Sequence, residues 1–112
     1  MDKKLQAQYE ARANIIKAMA HPSRLFIVET LKGGDRSAGE LTELIGSDAS
    51  TVSKHLGVLK NAGIITDERR GTSIYYHLQT PCILNFLGCI EDVLESKAQG
   101  QMNIASACKS RC

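Results

Sequence analysis

The chain has no Trp, two Phe, three Tyr and only two Pro in 112 residues. Without large rings its core must be assembled from Leu, Ile, Val and Ala, and a domain this small buries a limited share of its surface that way. Pairing with a second copy would extend such a core. No run approaches the roughly 20 apolar residues of a membrane span. The opening stretch MDKKLQAQYEARAN interleaves charges and lacks the apolar region of an export signal. The expectation is a cytoplasmic protein with no membrane partner. Neither charge sign dominates, since 14 Lys and Arg against 12 Asp and Glu leave a net charge of +2. That excludes a general polycationic binder, so any grip on nucleic acid must come from local placement of cations.

Catalytic signatures are missing too. There is no phosphate-cradling glycine loop, nucleophile elbow, HExxH or Cys-x-x-Cys, which argues against an enzyme. Cysteine is absent from the first 81 residues; Cys82, Cys89, Cys108 and Cys112 all follow. In a reducing compartment they read as thiols with a chemical role and not as a disulfide framework. The remaining composition, 43% apolar and 23% charged, is that of one globular domain. We place it at residues 1–96, with a flexible cysteine-containing tail at 97–112.

Hydrophobic spacing supplies the elements. Leu5, Tyr9, Ala13, Ile16 and Met19 mark a first helix with one apolar stripe. Pro22 starts a second, running to Lys32, with Leu25, Phe26, Val28 and Leu31 on its buried face and Gly33-Gly34 behind it. Ser37 to Ile45 forms a short third helix carrying Ala38, Leu41, Leu44 and Ile45, closed by Gly46. After cap candidates Ser47 and Asp48, the residues Val52, Leu56 and Leu59 face the core from a fourth helix that ends near Asn61 and Gly63. Two short helices around a tight turn make a helix-turn-helix. The β-prone runs Ile64–Glu68 and Ser73–Leu78, separated by Arg69-Arg70-Gly71-Thr72, read as a hairpin with a cationic tip. Pro81 opens a last helix whose apolar band of Ile83, Phe86, Leu87, Ile90, Val93 and Leu94 is wide enough to meet a partner subunit. The fold class is thus mainly α, a winged helix-turn-helix of order α-α-α-α-β-β-α.

Three stretches carry a family resemblance: Ala20-His21-Pro22-Ser23-Arg24-Leu25, then Ser50 through Ile65, then Arg69 through Leu78. From Met19 to Leu94 the chain resembles the ArsR/SmtB family of bacterial metal- and metalloid-responsive repressors. The resemblance implies a homodimer paired through its first and last helices, whose DNA affinity falls when ligand binds. In the family a Gln often stands where this chain has Ala49, and a Ser where it has Asp48.

A recognition helix offers short polar and cationic side chains to the major groove. Here Ser50, Thr51, Ser53, Lys54 and Lys60 supply them, with His55 a candidate for packing or phosphate contact, and Arg69, Arg70 and Thr72 at the wing tip. The alternative is a solvated helix face and a solubilising turn. A symmetric dimer predicts double-stranded operator DNA bearing an imperfect inverted repeat.

Cys82 and Cys89 stand about 10 Å apart along one helix and cannot join within it. Antiparallel pairing of last helices would bring one protomer's Cys82 toward its partner's Cys89. Cys108 and Cys112, with Lys109 and Arg111 nearby, have the spacing to share a soft ion or a disulfide. Thiolates select trivalent arsenic, antimony or cadmium over hard cations, so a soft metal or metalloid ion is the expected effector and no organic cofactor is. The family's Cys-x-Cys in the third helix is absent, as is the zinc pattern on the last, where Thr80, Val93 and Ser96 stand; zinc is disfavoured. Redox or reactive-sulfur sensing by Cys82 and Cys89, or a constitutive DNA binder in which they are small buried hydrophobes, remain alternatives.

Overall fold

Among the described residues, four of the five helices begin where a side chain satisfies amide groups that have no partner inside the helix. In the computed structural model, which describes residues 1–100, Asp2 Oδ1 accepts from Leu5 N at 2.8 Å at the head of α1 (Lys3–Met19). His21 Nδ1 accepts from Ser23 N at 3.0 Å ahead of α2 (Pro22–Leu31). Ser37 and Glu40 form a reciprocal capping box on α3 (Ala38–Ile45), and Asp48 caps α4 (Ala49–Asn61). At α5 (Ile83–Ala98) the cap position is Cys82, which makes no such bond. Between α3 and α4 the chain turns at Gly46, whose φ of 78° is left-handed and therefore suits glycine.

A short strand that the hydrophobic pattern does not reveal, β1 (Arg36–Ser37), joins the hairpin of β2 (Ile65–Arg70) and β3 (Ser73–Leu78). The sheet is antiparallel in the order β1-β3-β2, with Ser37 opposite Tyr75 and Ile65 opposite Leu78. The element order is therefore α-α-β-α-α-β-β-α, the expected winged helix-turn-helix with one added strand.

The chain divides between Thr80 and Pro81 into two compact units. In the first, Ile27, Val28 and Leu31 of α2, Leu41 of α3, and Val52, Leu56 and Leu59 of α4 close over Ile64, Ile65 and Leu78. Each fully buried aliphatic side chain contributes about 1.5–3 kcal/mol. Two residues expected inside are not: Phe26 and Leu44 are exposed, and Ile27 takes the inward place on α2. Among the described residues of the second unit, Leu87 and Asp92 of α5 are buried while Phe86, Ile90 and Leu94 are exposed. The stripe expected on α1 is exposed as well at Leu5, Tyr9 and Ile16; only Ala18 and Met19 of that helix are buried.

Candidate nucleic-acid interface

Helix α4 is divided lengthwise by its own sequence. Val52, Leu56 and Leu59 recur at helical spacing and are at most 2% exposed. Their burial turns Ser50, Thr51, Ser53, Lys54 and Lys60 outward, all exposed. Ser53 also lines a cleft of about 470 Å³ between α3, α4 and β3, shared with Glu43 and Tyr76.

The head of this face is organised by Asp48. Its Oδ1 accepts from the Thr51 hydroxyl at 2.6 Å, while Oδ2 accepts from the Ser50 hydroxyl and from Thr51 N. Those donors, the Ser50 hydroxyl foremost, hold the Asp48 carboxyl well below the usual carboxylate range. The hydroxyls read from the sequence as DNA donors are thus already donating within the chain. Sequence reasoning placed Asp48 as a cap and missed this hold.

Lys54 and Lys60 differ. Lys54 makes no ion pair among the described residues, whereas Lys60 Nζ lies 2.9 Å from Asp67 Oδ2 on β2. That hydrogen bond is the main reason the Lys60 pKa is raised. His55 is half-buried, its ring 4.3 Å from that of His21. Burial foremost, with the charges of His21 and Arg24 behind it, lowers its pKa, which favours the neutral ring over a phosphate-binding cation.

At the wing, the expected four-residue tip is shorter. The strands run through Arg70 opposite Ser73, leaving Gly71-Thr72 as the turn, with Gly71 at φ 64°. Arg69 and Arg70 are therefore strand residues, and strand alternation sends their side chains to opposite faces. Arg70 bonds Asp35 at 2.7 Å, lies 3.5 Å from Glu68 and stacks over Tyr75, its guanidinium carbon 4.7 Å from the ring centroid. Asp35 also holds His77 Nδ1 at 2.7 Å. These two partners, His77 foremost, lower the Asp35 pKa. Arg69 has no ion pair among the described residues, and Thr72 is exposed in the turn. No local pattern marks Asp35, because its partners are 35 and 42 residues away.

The cysteines are not gathered by the described structure. Cys82 is an exposed free thiol; Cys89, half-buried on α5, is disulfide-bonded. Cys108 and Cys112 lie outside the described residues. Among the described residues no group of three or more His, Cys, Asp or Glu has the arrangement to hold a metal ion. No described helix is long and apolar enough to cross a membrane.

Residues 19–68 match a family model described as a helix-turn-helix domain. The transcriptional repressor SdpR of Bacillus subtilis is 43% identical over 67 residues, covering 60% of this chain and 74% of the relative. The HTH-type transcriptional regulator Rv0081 of Mycobacterium tuberculosis is 38% identical over 87 residues, 77% of this chain and 76% of the relative. Its crystal structure superposes with a TM-score of 0.74 at 35% identity, covering 83% and 94% of the two chains. For the fold alone, the homodimeric winged helix-turn-helix DNA-binding domain Mb0332 of Mycobacterium bovis, 23% identical, superposes with a TM-score of 0.76 over 92% and 95%. An outward polar face on the second helix of the helix-turn-helix, a wing beside it and this degree of likeness lead to one conclusion: the chain belongs to the ArsR/SmtB-type winged helix-turn-helix transcriptional regulators, DNA-binding repressor proteins and not enzymes.

Proposed function

We propose that this protein represses transcription as a homodimer that lays α4 of each protomer in successive major grooves of an imperfect inverted repeat, and that thiol chemistry near its C-terminus releases it. The observation that carries the DNA reading is the division of α4, which leaves Ser50, Thr51, Ser53 and Lys54 free of the core while Val52, Leu56 and Leu59 are committed to it. Lys54 and Arg69 are the cations with charge to spare for phosphate. Lys60 and Arg70 hold the wing against the body of the domain through Asp67 and Asp35. The homodimer is supported by the apolar residues left exposed on α1 and α5 and by the homodimeric state of the Mycobacterium bovis neighbour.

For release, the primary reading is capture of trivalent arsenic, antimony or another soft ion by Cys82 and Cys89, with Cys108 and Cys112 completing the set. Such an ion would supply strong thiolate bonds that favour a changed arrangement of the cysteine-bearing segments. Among the described residues only Cys82 is open to it, since the disulfide at Cys89 must first be reduced. That same disulfide favours a second reading, in which oxidation of these thiols is itself the signal.

The test is a titration of the preformed protein–operator complex in reducing buffer, adding arsenite, antimonite, cadmium, zinc, an oxidant and a polysulfide in turn. Release by arsenite or antimonite, lost in Cys82→Ser and Cys89→Ser proteins that still bind DNA, is the expected result. Release by oxidant or polysulfide alone would replace it with the redox reading, and release by none would leave a constitutive binder.

A further inference from the structure

We infer that His21, Arg24 and His55 form a binding site for one backbone phosphodiester of each operator half-site, an inference that rests on the proposed placement of α4 in the major groove. The three side chains come together from two helices. His21 immediately precedes α2, Arg24 lies in its first turn, and His55 belongs to α4. The two imidazole rings stand 4.3 Å apart, tilted by 40°, and the charge of Arg24 acts on His55. All three residues are half-buried, so none is sealed away from a ligand.

What this cluster lacks is an acceptor. Among the described residues no carboxylate pairs with His21, Arg24 or His55, unlike Lys60 and Arg70 with their aspartates. Arg24 Nε is closed off from solvent and has no hydrogen-bond partner there. A guanidinium offers donors alone, and a buried donor left unmatched is costly. His21 Nδ1 already accepts from Ser23 N at 3.0 Å. The proton of its neutral ring is therefore on Nε2, a second donor without a partner. The neutral His55 ring adds a third.

Such a set discriminates among ligands. A metal cation is opposed by the guanidinium, and one of the His21 ring nitrogens is engaged. A singly charged anion with several acceptor oxygens matches one permanent positive charge flanked by neutral donors, and a phosphodiester is such an anion. Position selects DNA as its source. His55 follows Thr51 by one turn and lies between the core stripe of Leu56 and Leu59 and the exposed Lys54, which is the flank of α4 and not its outward face. The strands that wall the major groove present phosphates to the flanks of an inserted helix, and contacts to them fix register without reading bases. Arg24 is thus a third cation with charge to spare, outside α4 and the wing.

The test is a scan of the operator duplex in which single phosphodiesters are replaced by uncharged methylphosphonates. Anisotropy titrations compare the full chain with Arg24→Gln, Arg24→Lys and His55→Gln. For the unsubstituted protein, one linkage per half-site should weaken binding about tenfold when neutralised, as loss of a charged hydrogen bond does. At that linkage Arg24→Gln should lose less than about twofold, because the charge that met the phosphate is gone. Its slope of log affinity against log salt should be lower by about one. Arg24→Lys keeps the charge without the planar fork, and it and His55→Gln should fall between. Those two variants carry the comparison should urea unfolding show that Arg24→Gln does not fold. Lys54→Ala should remain fully sensitive to the same linkage. Equal sensitivity of the unsubstituted protein and all three variants at every linkage would overturn the inference and leave the groove placement standing. Displacement of DNA by inorganic phosphate at matched ionic strength, abolished in Arg24→Gln with no linkage effect, would overturn it in favour of a free-anion site. No preference of the unsubstituted protein for operator over unrelated duplex would bring down both.

Discussion

Lys54 and Lys60 are both exposed on α4, and what separates them is the company each keeps. Lys60 already neutralises Asp67 at 2.9 Å, so taking up a phosphate would mean exchanging one anion for another. Lys54 has no such exchange to make. Replacing Lys54 by Ala should weaken binding to all duplexes by a similar factor and reduce the slope of log affinity against log salt by about one. Lys60→Ala should leave that slope nearly unchanged, as anisotropy titrations across a salt series would show. A second residue-scale outcome concerns pH. In the fold His55 prefers its neutral form, so the unfolded chain takes up the proton first as pH falls. Its contribution to stability is complete above about pH 6.5, the ordinary histidine value, and is lost between there and the lower folded value. Urea unfolding should show the protein less stable at pH 5.5 than at pH 7.5, with part of the difference abolished in His55→Gln.

Among the elements, the turn between α3 and α4 depends on a single backbone conformation. Gly46→Ala should destabilise by about 1 kcal/mol, read as a lower urea midpoint with unchanged slope. An added Cβ meets no atom within 4 Å, so the cost is one of φ and not of crowding. This turn was visible in the sequence because glycine, cap residues and apolar spacing are all local signals. The core face of α4 was visible for the same reason. What stayed hidden depends on distance along the chain or on brevity. A two-residue strand such as β1 has no alternation to detect, and Asp35 finds Arg70 and His77 only after the sheet has formed. Arg69 and Arg70 looked like turn residues because they are polar and precede Gly71, yet the register needs only Gly71 and Thr72 to reverse the chain. The exposure of Phe26 and Leu44 shows the limit of helical spacing, which identifies an apolar stripe without fixing its edges. The roles of the cysteines were not legible from spacing, because thiol content alone carries no geometry.

For the whole molecule, the exposed apolar residues on α1 and α5 are the features a single copy leaves unexplained. Leu94 is 63% exposed and Ile16 51%, a poor disposition for a domain with so few large side chains in its core. On the proposed homodimer, Leu94→Glu should yield monomers in sedimentation velocity and weaken operator binding by more than tenfold, since two half-sites would no longer be engaged by one linked body. Ser37 bears on how such an assembly could respond to a signal. It pairs with Tyr75 midway along β3 and, in the same residue, starts α3 through its capping box with Glu40. Ser37 thereby ties the hairpin to the helix-turn-helix, in addition to the Lys60–Asp67 and Arg70–Asp35 pairs. On the proposed homodimer, a reading head tied in this way would move as a unit, and release would follow from a changed stride between two such heads, out of step with the roughly 34 Å repeat of the duplex.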